Sequence, residues 1–199
     1  MKEFDNLWII LGPESSGSVF ISKCIYIAVN GQSAKKYSGY GNSSISPINN
    51  MVIHRSIPSM RPKRFFEDFC EEISDISTRY RNVNYIFTTR DKRISILSKI
   101  RRFGGNYSEA QEDYLKSQRA FKALVDDDSV FIWNYETMIM IGAPYFYRLY
   151  RFFNIESDYI PKIYDGNRNY VFPSLYQSLK YFTIVSLKYI KRKFFRKSL

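Results

Sequence analysis

Four short apolar runs, residues 7–11, 51–54, 85–88 and 130–133, are rich in β-branched and aromatic side chains and alternate with longer segments of helical character. Runs this short, set between breaker residues, read as buried strands rather than buried helices. Strands separated by helices imply parallel crossover units, so the expected fold is α/β: a central parallel sheet with helices on both faces. The expected helices cover 18–29, 62–80, 93–102 and 108–125. In the second, Phe65, Phe66, Phe69, Ile73 and Ile76 recur at a 3-4 spacing, and Pro62 suits a first turn. In the fourth, Ser108 and Gln111 have the spacing of a capping box. Residues 30–50, rich in Gly, Ser and Asn, predict a long polar loop of the kind that is often functional.

A chain of 199 residues holds one such domain with a real core. Its composition, 45% hydrophobic and 25% charged, excludes intrinsic disorder, collagen and coiled coil. Two cysteines, Cys24 and Cys70, cannot build a disulfide framework, and with the single histidine, His54, they leave no basis for a metal cluster. No metal is therefore expected. The opening residues lack a basic n-region, and the apolar run that follows is too short for a signal peptide or a membrane span, so a cytoplasmic location is expected.

The net charge of +11 is uneven. Residues 166–199 hold 8 Lys and Arg and no acid, which leaves 22 basic against 19 acidic side chains in residues 1–165. The expected division is an α/β domain over 1–173 followed by a basic, aromatic helix over 174–199. Its cluster of Lys188, Lys191, Arg192, Lys193, Arg196 and Lys197 suits either the solvated end of a packed helix or an anionic membrane surface. Nothing in the body of the chain supports a nucleic-acid partner.

The first run leads directly into Gly12-Pro13-Glu14-Ser15-Ser16-Gly17-Ser18 and then a helical segment. A glycine-bounded loop at a helix N-terminus aims backbone N–H groups and the positive end of the helix dipole at one point, which suits a phosphate. The spacing is that of a P-loop, yet Ser18 stands where a nucleoside triphosphatase has its lysine and Val19 where it has the magnesium-binding hydroxyl. That argues against an ATPase, a GTPase or a kinase. The same residues would also serve as an ordinary strand-to-helix turn with serine caps.

The third run ends in Thr88-Thr89-Arg90-Asp91-Lys92-Arg93, with Ser98 two helical turns further on. Arg90 at the carboxyl end of a strand is where open α/β sheets bind ligands, and a guanidinium fork with a hydroxyl suits an anion. A solvated basic helix start would have the same sequence.

Together these segments resemble the sulfotransferases that use 3′-phosphoadenosine 5′-phosphosulfate (PAPS). The resemblance implies that Gly12 to Ser18 bind the 5′-phosphosulfate and that Arg90 and Ser98 bind the 3′-phosphate. Phe131-Ile-Trp-Asn-Tyr135-Glu136 and Ile163-Tyr-Asp-Gly-Asn167-Arg168-Asn169 are weaker matches to later family segments. One departure stands out: the family's loop cation, two residues before the second glycine, is replaced by Ser15. Arg55 is the expected substitute, with Lys23, Lys35 and Lys36 as alternatives. His54 falls in a stretch similar to the one that holds the family's catalytic base, and a histidine suits that task. The implied activity is sulfuryl transfer from PAPS to a hydroxyl, with a carbohydrate as expected acceptor. The rival reading is a non-catalytic, degenerate P-loop protein that holds a nucleotide or polyanion and docks through its basic tail.

Overall fold

The computed structural model describes residues 2–37, 39, 49–60, 63–64, 66–124 and 130–171. Along the chain run β1 (Phe4–Gly12), α1 (Ser18–Asn30), β2 (Asn50–Ser56), a small antiparallel pair of β3 (Ser59–Met60) and β4 (Lys63–Arg64), and α2 (Phe66–Ser77). Then come β5 (Tyr80–Thr89), α3 (Lys92–Phe103), α4 (Tyr107–Leu124), β6 (Val130–Asn134), α5 (Tyr135–Ile141), α6 (Ala143–Phe152) and a single turn, α7 (Arg168–Val171). The four apolar runs are the four strands of one sheet in the order β2-β1-β5-β6, parallel throughout.

Alternation along the strands divides the side chains between two cores. Trp8, Ile10, Val52, Ile86 and Trp133 face α1, α5 and α6, where Trp133 stacks on Tyr145 at 4.6 Å between ring centroids. Leu7, Ile9, Leu11, Met51, Ile53 and Phe87 face α2 and α4. Each fully buried aliphatic or aromatic side chain contributes about 1.5–3 kcal/mol relative to exposure, so the continuous runs of the sequence are what a sheet covered on both faces requires.

The order of the strands positions the site. From β1 the chain moves to β2 on one side, then crosses back past β1 to β5 on the other. Beyond the carboxyl end of β1 the connections therefore diverge, and in open α/β sheets that crevice is the ligand site. The register sets Gly12 beside Ser56, and Thr89 beside Asn134, along this edge.

Some boundaries differ from expectation. The second helix begins at Phe66 after β4, and Tyr80 opens β5 rather than closing a helix. The predicted capping box is not the cap of α4: the Asn106 side chain accepts from the Glu109 N–H at 2.8 Å, one residue before the helix, and performs that task instead. Of the predicted polar loop, residues 34–36 form a 3-10 turn, and most of the remainder lies outside the described residues. The basic helix expected over 174–199 also lies outside them. Among the described residues no helix is long and apolar enough to cross a membrane.

Candidate functional site

The loop after β1 has a backbone that only glycine accepts at its two ends. A Cβ on Gly12 would lie 2.1 Å from Thr88 Oγ1 and 2.6 Å from the Thr88 carbonyl oxygen. Gly17 has φ 91°, and its Cβ would lie 2.8 Å from the Tyr135 ring. Between them Ser15 is left-handed too, with φ 70°. The Thr88 hydroxyl donates to the Leu11 carbonyl at 3.1 Å, so the Ser16 hydroxyl must be the donor in its 2.6 Å bond to Thr88 Oγ1. The loop is thus fastened to β5, and α1 begins with no side chain capping its first N–H groups. Those N–H groups and the helix dipole are what an anion would meet.

Glu14 is held from behind. Lys99 of α3 lies 3.3 Å from its carboxylate and 2.7 Å from Asp113 of α4, with all three side chains largely out of water. This ion cluster ties the loop to both helices. The sequence offered no signal for it beyond Lys99 following Ser98.

Arg90, only 9% exposed, is the centre of a second network. Its Nη1 donates to the Ser15 carbonyl at 2.8 Å, while Nε and Nη2 donate to Asn167 Oδ1 at 2.9 and 2.7 Å. The guanidinium packs on the rings of Tyr135 and Tyr170, 4.6 and 5.7 Å from their centroids. Asn167 in turn donates to Glu136 at 2.8 Å, and Glu136 accepts from the Asp91 N–H at 3.1 Å. Ser98 joins through Tyr170, whose hydroxyl is 3.1 Å from Ser98 Oγ. All four segments marked by the sequence (the loop, Arg90 with Ser98, Tyr135-Glu136, and Asn167) therefore meet at one place. Of the five N–H donors of Arg90, three are used in these bonds, so the fork keeps capacity for an anion.

His54 and Arg55 part company. They are consecutive in β2, so their side chains leave opposite faces of the sheet. His54 faces α1, with Nε2 2.8 Å from Ser18 Oγ. Burial, then the positive charges of Arg55 and Arg102, lower its pKa from 6.5 to about 4, so the ring is neutral at pH 7. Arg55 faces α2 and is 4% exposed. It forms an ion pair with Glu72, and its Nη1 donates to the His54 carbonyl at 2.9 Å. The expected substitute for the loop cation thus points away from the loop, because a strand cannot aim two successive side chains at one spot. Lys23 on α1 and Lys35 and Lys36 in the 3-10 turn do not line the loop's cleft either.

That cleft, about 240 Å³, is bounded by Glu14, Ser15, Gly17, Ser18, His54 and Ser56, with Val19, Phe103 and Arg102 completing the wall. Arg102 went unnoticed in the sequence, although it lies four residues after Ser98 and so on the same face of α3. Among the described residues no group of three His, Cys, Asp or Glu side chains could hold a metal ion.

Two solved structures of retinol dehydratase, one in complex with retinol and PAP and the other with androsterone and inactive cofactor PAP, are similar to this chain. Each has 11% sequence identity and a TM-score of 0.51, over 75% of this chain and 60% of the other. The chain thus spans about 60% of the length of those proteins. At this identity the likeness is one of fold, and the fold is the sulfotransferase type expected from the motifs. No family model and no curated protein sequence matches the chain.

Proposed function

We propose that the protein binds PAPS at the carboxyl edge of β1 and transfers its sulfuryl group to a hydroxyl. The observation that carries this reading is the 2.8 Å bond from Arg90 to the Ser15 carbonyl. It fixes the phosphosulfate loop and the arginine assigned to the 3′-phosphate as one unit, which a donor with an anionic group at each end requires. The retinol dehydratase complexes, which contain PAP on the same fold, support the donor assignment.

In this reading the loop N–H groups of Ser15, Gly17 and Ser18 and the dipole of α1 hold the 5′ end, while Arg90 and Ser98 hold the 3′-phosphate. The donor already carries an activated sulfate. What the protein supplies is alignment of the attacking and leaving oxygens on sulfur and stabilisation of charge on the leaving phosphate. His54, neutral at pH 7, takes the acceptor's proton as its oxygen attacks. The cleft beside it mixes Glu14, Ser18, Ser56 and Arg102 with Val19 and Phe103, and a carbohydrate is the acceptor that this reading puts to the test.

Conversion of PAPS to adenosine 3′,5′-bisphosphate (PAP) in the presence of a panel of sugars and apolar alcohols tests the reading. Turnover stimulated by a sugar is the expected result. PAP binding without turnover on any acceptor would leave the non-catalytic P-loop reading in its place.

A further inference from the structure

Sulfuryl transfer builds negative charge on the phosphate that leaves, and a positive group beside that oxygen is the direct way to stabilise it. The loop does not carry one. Ser15 is uncharged, and Glu14 is negative and tied to Lys99. Lys99, Arg90 and Arg55 do not line the cleft. Among the described residues that line the cleft the permanent cation is Arg102, which comes from a different element.

We propose that Arg102, in the last turn of α3, contacts the 5′-phosphosulfate end of the donor and stabilises the leaving phosphate in place of a loop cation, an inference that rests on the sulfotransferase reading above. Arg102 lines the cleft with Ser15, Gly17, Ser18 and His54. Ser98 and Arg102 are one helical turn apart, about 6 Å along the axis, so α3 presents a hydroxyl to the 3′ end and a guanidinium to the 5′ end of one ligand. The positive charge of Arg102 is also felt at His54, where it helps keep the ring neutral. In the transfer, the bond from sulfur to the bridging oxygen breaks and its electron pair stays on the phosphate of PAP, facing Arg102. The bond from sulfur to the acceptor oxygen forms, and the acceptor's proton goes to His54.

A guanidinium in the last turn of a helix also compensates the helix dipole, and that role alone would alter stability without regard to the ligand. Binding of two nucleotides separates the roles. Dissociation constants of PAP and of adenosine 3′-monophosphate, which lacks the 5′ group, are measured by titration calorimetry for the full chain, R102A, R102Q and R90A. Loss of a charge-assisted bond to the 5′-phosphate should weaken PAP by about 10- to 100-fold in R102A and R102Q. Adenosine 3′-monophosphate should stay within about twofold, whereas R90A weakens both nucleotides. R102Q keeps the length of the side chain and decides the matter if R102A lowers the melting temperature. Unchanged PAP binding, or equal loss for the two nucleotides, overturns the role of Arg102 and leaves the donor assignment standing. A wild-type chain that binds no PAP overturns both.

Discussion

His54 gives a pH signature that belongs to one side chain. Its pKa falls from 6.5 to about 4 because burial and two neighbouring guanidinium groups oppose its charged form. Between those values the unfolded chain holds a proton that the folded chain does not, so the contribution to stability is full above pH 6.5 and is lost as pH falls toward 4. A shift of this size corresponds to about 3 kcal/mol. Thermal unfolding of the wild type should therefore weaken between pH 7 and pH 4.5 by more than that of His54→Asn. Parallel pH profiles for the two proteins would mean that the ring titrates normally. Arg55, one residue on, shows how strongly backbone geometry decides role: the same strand sends it to Glu72 on the other face.

At the scale of elements, the turn from β1 into α1 is the part most sensitive to a small change. Gly17→Ala forces a Cβ to 2.8 Å from the Tyr135 ring at φ 91°, where side chains are strained. It should lower stability by about 1–3 kcal/mol and displace the ring that covers Arg90. Calorimetry should find PAP binding weakened along with the melting temperature; a protein as stable as wild type would show that the loop has another conformation. The strands were legible in the sequence because a sheet buried on both faces needs continuous apolar runs, and β1, β2, β5 and β6 each contain one. The glycine-bounded turn after β1 was legible because Gly12 and Gly17 meet backbone limits that no other residue satisfies. The cap of α4 was misread because Asn106 and Ser108 are both acceptable caps and only the start of the helix selects between them. The ion cluster of Glu14, Lys99 and Asp113 joins three elements, and pairing of that kind has no local pattern to read.

For the whole molecule, what matters is that distant segments converge on one edge of the sheet. Residues 12–18, 88–102, 134–136 and 164–170 come together through Arg90, whose partners Ser15 and Asn167 are 75 and 77 residues away in the chain. A ligand that bridges these segments and is absent from the unfolded chain must raise its stability. At a concentration one hundred times the dissociation constant the gain is about 2.7 kcal/mol. For a domain of this size that corresponds to roughly 5–10 °C in melting temperature. The direct measurement is thermal unfolding with PAP, adenosine 5′-monophosphate, or ATP with magnesium, each at the same concentration. A site built from the loop, Arg90 and Ser98 predicts a large rise with PAP and little with the other two. An equal rise with adenosine 5′-monophosphate, or none with PAP, would contradict it.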